Sequence, residues 1–232
     1  MATMNPISWL PLESNPDVMN KYIESLGIKS DWKFVDVFGF DDELLQMVPK
    51  PVHAMLLLYP CEIEDPPAPE GTGDEPSKVD SSNVYYIRQV IRNACGAIAI
   101  LHAVANNADK ISFQPDSPMK AFIDKTKDLS PEQKAEVMMD STELSEAHHE
   151  CAKDGQTQAP DADASIDLHF VALVHRNGNL YELDGRKSGP VIHGKTSEES
   201  FLEDAAKVCK RFMEKNPVCM RFSAIALTNN AL

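Results

Sequence analysis

Asn177-Gly178 separates two strand-like stretches, Asp167–His175 and Leu180–Leu183. This dipeptide suits a type I′ turn, whose backbone twist matches that of paired strands. A tip at these two residues fixes the pairing. Leu180 then faces His175, Leu183 faces Ala172, Asp184 faces Val171 and Arg186 faces His169. His169 and Asp184 therefore become diagonal neighbours on one face, about 7–8 Å apart at Cα and within reach of an imidazole and a carboxylate. A register slip of one residue would put them on opposite faces.

Around this hairpin the chain reads as α/β of the α+β type, a single domain over residues 1–232. Asn15, Pro16 and Asp17 open a helix carrying Met19, Tyr22, Ile23 and Leu26 and ending at Gly27. Lys33–Phe38 alternates as a strand, and Asp41–Met47 is a short helix. Val52–Tyr59 is an almost unbroken apolar run, which predicts a central strand buried on both faces. Helices are expected from Cys95, near 117–127, from Ser130-Pro131 onward and over about 140–150. Ser197 is placed as the cap of a long amphipathic helix through Met213, and Arg221–Leu227 as a last strand. Residues 61–82 read as an acidic surface loop, and residues 151–166 as a second loop.

Composition excludes several function classes. The net charge of −14 argues against a nucleic-acid partner. No apolar run is long enough to suggest a membrane span. The first residues, Met1-Ala2-Thr3-Met4-Asn5-Pro6, show no secretory-signal pattern. The cysteines at 61, 95, 151, 209 and 219 are scattered and form no CxxC pair. That points away from a disulfide framework or zinc site and toward a reducing compartment, cytosol or nucleus. With no HExxH spacing either, no metal and no cofactor are expected. Residues 61–82 carry seven acids against one lysine, and 128–154 eight acids against two. A solvated acidic surface explains both stretches; steering of a basic partner is the sharper reading.

Asn93-Ala94-Cys95-Gly96 leads directly into an apolar helical run, so Cys95 sits at a helix start. The unpaired N–H groups and helix dipole there favour a thiolate. The other cysteines differ. Cys209 lies on an apolar helix face, while Cys61 and Cys151 border the two loops and are expected to be exposed. Gln89, six residues before Cys95, carries an amide that could meet a developing oxyanion. Among the other histidines, His102 reads as a satisfied core residue, His148 and His149 as exposed, and His193 as a loop residue. Residue types alone leave two readings open for Cys95: an inert buried thiol, or the nucleophile of a Cys-His-Asp set with His169 and Asp184.

These motifs resemble the ubiquitin carboxyl-terminal hydrolases. Gln89 with Asn93-Ala94-Cys95-Gly96 is similar to the family's nucleophile motif. Asp167-Leu168-His169-Phe170 resembles its histidine strand, and Leu180-Tyr181-Glu182-Leu183-Asp184-Gly185-Arg186 its aspartate motif. The resemblance runs from Trp9-Leu10-Pro11-Leu12 to Arg221-Phe222-Ser223-Ala224-Ile225-Ala226-Leu227, and is nearest the short, single-domain members of the third isozyme type. It implies a papain-like core: a central antiparallel sheet flanked by helices on both sides, with a knotted backbone. It further implies Cys95 as nucleophile, His169 as general base and then acid, Asp184 as the orienter of His169, and Gln89 as oxyanion donor. Residues 150–166 would be a crossover loop over the site, admitting small adducts and flexible peptides. The implied partner is ubiquitin, whose tail Leu-Arg-Leu-Arg-Gly-Gly is basic, with some action on a Nedd-type ubiquitin-like modifier. Trp9, Leu10, Pro11, Leu12, Asp36 and Leu168 are the implied substrate contacts, and a monomer is expected. The alternative is a monoubiquitin-binding protein with little turnover.

Overall fold

The computed structural model describes residues 7–61, 83–157, 166–215 and 217–229. Most of the expected acidic loop (62–82) and about half of the expected crossover loop (158–165) lie outside the described residues. A six-stranded sheet forms the middle layer, in the order β1-β6-β2-β3-β4-β5, with every pair antiparallel. Its strands are β1 (Trp32–Asp36), β2 (Val52–Pro60), β3 (Leu168–Arg176), β4 (Asn179–Leu183), β5 (Val191–Lys195) and β6 (Ser223–Asn229). The apolar run at 52–59 becomes the interior strand β2, bonded to β3 on one side and β6 on the other.

Alternation along the strands divides the core in two, because successive side chains point to opposite faces. Leu56, Phe170, Ala172, Val174, Tyr181 and Ile225 face one cluster. Helices α1 (Pro16–Ser25), α3 (Cys95–Ala105), α4 (Pro118–Thr126), α5 (Pro131–Met139) and α6 (Thr142–Cys151) complete that cluster. Met55, Leu57, Val171, Leu173, Leu180 and Ala226 face the other, covered by α2 (Asp42–Leu45) and α7 (Phe201–Glu214). Helices therefore flank both faces of the sheet. Residues Cys95 to Val104 of α3 are all buried, as expected of a helix apolar on every side and packed against β2 and β3.

The caps follow local chemistry. Asn15 accepts from the Asp17 N–H at the start of α1, and Gly27 beyond its end adopts φ +85°. Ser130 and Gln133 form a capping box on α5. The expected cap of α7 shifts: its N-cap is Ser200, while Ser197 Oγ accepts from the Ser200 N–H and closes the turn before it. Strand β5 is an addition to the elements expected from the sequence. It is short, follows a Ser-Gly-Pro turn signal, and contains Gly194 at φ +129° beside a bulge opposite Leu180 and Tyr181, which breaks the alternation.

The hairpin has the expected register, with Ala172 opposite Leu183 and Arg176 opposite Asn179. Asn177 (φ 51°) and Gly178 (φ 74°) both occupy the left-handed region that a type I′ turn requires. A Cβ on Gly178 would meet nothing within 4 Å. Gly178→Ala therefore tests backbone strain alone and should destabilise the fold by about 1 kcal/mol in urea unfolding. An unchanged midpoint would contradict this account of the turn.

Candidate active site

Cys95 is the first residue of α3, and the chain reaches it through a constrained turn. Asn93 lies at φ 60°, a conformation that asparagine tolerates better than most side chains. The segment 7–9 runs alongside this turn: Trp9 N–H donates to the Arg92 carbonyl at 3.0 Å, and Arg92 N–H to the Ile7 carbonyl at 3.1 Å. A Cβ on Gly96 would stand 3.1 Å from Leu12 Cβ, so the glycine lets this segment close onto the helix start. A cleft of about 350 Å³ opens beside the thiol. Pro11, Leu12, Leu58, Cys95, Leu168 and Phe170 are among its walls.

The hairpin supplies a second set of groups. His169 Nε2 and Asp184 Oδ1 are 2.7 Å apart, with both side chains at most 3% exposed. The carboxylate accepts, so Nε2 carries the proton and Nδ1 is the other face of the ring. Asp184 Oδ1 also accepts from the Arg186 N–H at 2.9 Å, and the Arg186 guanidinium lies 3.4 Å from Oδ2. Burial alone would raise the Asp184 pKa. The hydrogen bond and charge of His169, with the main-chain N–H and guanidinium of Arg186, outweigh it and hold the carboxyl well below the usual carboxylate range.

Cys95 behaves differently from the helix-dipole expectation. Burial pushes its pKa up. Hydrogen bonds from the Phe170 and Gly96 main chain and the charge of Arg186 pull it down, but burial prevails. Desolvation, which disfavours the charged form, outweighs the helix dipole at this thiol. The Phe170 contact also ties the thiol to the residue after His169, so the nucleophile helix and the histidine strand meet there.

Gln89 borders this arrangement. Its main-chain N–H donates to the Gly185 carbonyl at 2.9 Å, and its side-chain Nε2 donates to the Ile91 carbonyl at 3.3 Å. A Cβ on Gly185 would lie 2.9 Å from Gln89 Cβ and 3.0 Å from Ile98 Cγ2. Gly185 thus permits the aspartate loop to pack between Gln89 and the first turns of α3.

Other expected residues lie elsewhere. Trp9 turns inward against His148, with ring centroids 4.4 Å apart. His148 is 1% exposed rather than solvent-facing; its Nε2 pairs with the Leu10 carbonyl at 2.6 Å, and burial drives its pKa down to about 4. His149 is exposed as expected. Leu10 is half-buried, and Asp36 is exposed at the end of β1; neither lines the cleft. Cys151 is buried, not exposed, while Cys61 is exposed and Cys209 buried. His193 sits in β5 with its side chain buried against Glu182.

Tyr86 is the residue that motif spacing missed. Its hydroxyl shares one proton between the carbonyls of Asp184 (2.7 Å) and Lys187 (2.5 Å). Its ring stacks on His102 of α3, with centroids 5.2 Å apart and planes 11° from parallel. His102 is fully buried, as expected of a core histidine, and accepts the Ile87 N–H at 3.1 Å; its Nδ1 has no hydrogen-bond partner among the described residues, so the ring is only half satisfied. Tyr86 therefore joins the nucleophile helix to the aspartate loop. A tyrosine nine residues before a buried apolar helix was the only signal available for it in the sequence.

A buried thiol at a helix start beside a histidine–aspartate hairpin, in a sheet wrapped by helices, has the architecture of a papain-like cysteine peptidase. The sequence profile of ubiquitin carboxyl-terminal hydrolase, family 1, matches residues 9–214, and the chain belongs to that family. A ubiquitin carboxyl-terminal hydrolase of Aplysia californica is 51% identical over 209 residues, spanning 90% of this chain and 96% of that protein. One from Drosophila melanogaster is 42% identical, spanning 96% and 98%. Isozyme L1 of Homo sapiens is 40% identical, spanning 95% and 98%. The same fold occurs in the Trichinella spiralis UCH37 catalytic domain, solved bound to ubiquitin vinyl methyl ester. Its TM-score is 0.75 at 23% identity, covering 99% of this chain and 98% of that one.

Two measurements test this geometry. Tyr86→Phe keeps the stacked ring but leaves two carbonyls without their donor, and should destabilise the fold by about 1–2 kcal/mol in urea unfolding; wild-type stability would show that the bridge carries nothing. Because the folded pKa of Asp184 is depressed, its stabilisation is present above the ordinary carboxylate pKa of about 4 and is lost as pH falls toward the folded value. Asp184→Asn should therefore flatten the acid side of the stability–pH profile. A parallel profile for the variant would contradict the assignment.

Proposed function

We propose that this chain is a deubiquitinating thiol hydrolase that cleaves the bond after the terminal glycine of ubiquitin and releases small adducts or short peptides. The observation that carries this reading is the buried His169–Asp184 pair on the strand whose Phe170 main chain reaches the Cys95 thiol. The names of the relatives support the substrate. With Nε2 held by Asp184, Nδ1 of His169 takes the thiol proton, and the thiolate attacks the glycine carbonyl. The oxyanion accepts from the Cys95 main-chain N–H and the Gln89 side chain. The intermediate collapses to a thioester as the imidazolium gives its proton to the leaving amine. Water, deprotonated by His169, then releases ubiquitin and restores the thiol.

Pro11, Leu12 and Leu168, which line the cleft, would contact the tail of ubiquitin, and Asp36 would meet it outside the cleft. A Nedd-type modifier with a similar tail is a second substrate in this reading. Cys95→Ala should abolish hydrolysis of a ubiquitin C-terminal fluorogenic amide, and Asp184→Asn should lower kcat/KM about a hundredfold or more. Equal rates for wild type and Cys95→Ala would sink the mechanism.

One observation favours a second reading, a monoubiquitin binder with little turnover. In the ubiquitin-free chain burial raises the thiol pKa, and the Gln89 amide donates to Ile91. Titration with labelled ubiquitin decides between them: tight binding with negligible hydrolysis selects the binder.

A further inference from the structure

On the opposite face of the sheet from Cys95, α7 passes the edge strand β5 and leaves a concavity of about 330 Å³. It shares no lining residue with the cleft beside the thiol. Positions 204, 207, 208, 211 and 214 of α7 recur at helical spacing and line it together. Lys195, Lys207, Lys210 and Arg211 stand there against Asp204 and Glu214. A net positive hollow is unexpected on a chain of formal charge −14.

Arg211 is fixed from behind. Its guanidinium donates to His193 Nδ1 at 3.0 Å. That nitrogen must accept, so the imidazole proton lies on Nε2, which donates to Glu182 Oε2 at 2.7 Å. Glu182 also accepts from Lys187 at 2.5 Å. The His193 and Glu182 side chains are at most 1% exposed, so a buried polar chain built into β4 and β5 anchors the cation. Among the described residues Arg211 Nε is buried without a hydrogen-bond partner. Of the lysines, Lys207 bonds Asp204 at 2.8 Å, and Lys210 lies 3.8 Å from Asp41. Among the described residues, neither Lys195 nor Arg211 has a carboxylate partner.

An anchored guanidinium beside lysine ammonium groups matches a multiply charged oxyanion: the planar fork sets its orientation and the lysines add point charge. We propose that this concavity between β5 and α7 is a binding site for the phosphate groups of a small phosphate-bearing molecule. The buried floor made by Leu180 and Val208 lies under the lysine stems, which limits entry to a compact ligand.

The test is a heteronuclear NMR titration of the full chain with inorganic phosphate, pyrophosphate and a nucleoside diphosphate at constant ionic strength. Pyrophosphate should bind saturably, more tightly than phosphate, with shifts concentrated on β5 and α7. Lys195→Gln/Lys210→Gln, which leaves the buried chain intact, should weaken it about tenfold or more, the loss expected of a charge-assisted hydrogen bond. Arg211→Gln should weaken it further, and Lys125→Gln on α4 should leave it unchanged. Tighter binding of the nucleoside diphosphate would assign the site to an organic phosphate, and equal binding to free diphosphate. Shifts that do not saturate, shifts spread over all surface lysines, or wild-type binding by the double variant would overturn the proposal.

Discussion

Asp184 is a carboxylate with 1% of its surface exposed, and a buried charge persists only when its surroundings replace the water it has lost. Here the replacements come from separate elements. His169 on β3 and the Arg186 main chain and guanidinium all turn toward the carboxylate. Tyr86 and the Gln89 main chain hold the backbone of the same loop at Asp184 and Gly185. The carboxylate thus fixes the histidine tautomer, the aspartate loop and the segment entering α3 at once. Loss of any one partner leaves the others facing an uncompensated charge, so these residues act as a unit rather than as a sum of contacts.

A second acid, on the strand that leads into Asp184, repeats the arrangement. Glu182, two residues before Asp184, pairs with His193 and Lys187 as Asp184 pairs with His169 and Arg186. The two histidines meet different neighbours. His169 precedes the residue whose main chain reaches the Cys95 thiol, and in the proposed mechanism its ring exchanges a proton with that thiol. His193 meets a guanidinium, which can only donate, and so its ring is locked as a relay of orientation. The same acid–histidine unit thus orients a ring beside the nucleophile strand in one setting, where the proposed mechanism uses it for proton transfer, and places a cation in the other.

The parts of this architecture legible in the sequence rest on local chemistry. Asn177-Gly178 specified the hairpin register, and with it the meeting of His169 and Asp184, because turn type and side-chain parity are short-range properties. Val52–Tyr59 announced a buried strand, and the apolar run after Cys95 a buried helix. What stayed hidden depends on contacts distant in sequence. His148 looked solvent-facing in an acidic helix until Trp9 and Leu10, 138 or more residues away, closed over it. β5 was masked by its bulge, and Tyr86 by the absence of any motif that marks a hydroxyl bridging two carbonyls. Likewise, resemblance named Trp9 and Asp36 as substrate contacts without specifying the inward turn of the one or the distance of the other from the cleft walls.

The thiol carries the widest gap between local and global reasoning. A helix start stabilises an anion by about 0.3–1 kcal/mol at an exposed site, and that term alone predicts a thiolate. Cys95 is buried, however, and desolvation acts on the full charge while the dipole supplies only a fraction of one. In the free chain the balance therefore favours the neutral thiol. Under the proposed function a substrate would change both sides of that balance: it would bring a carbonyl whose developing oxyanion takes the main-chain N–H, and a basic tail that adds positive charge near the cleft. In such a site ionisation of the nucleophile is coupled to occupancy. Reactivity toward small electrophiles and turnover of a bound substrate are then separate properties of Cys95, and the burial that weakens the first protects an exposed cleft from adventitious reaction.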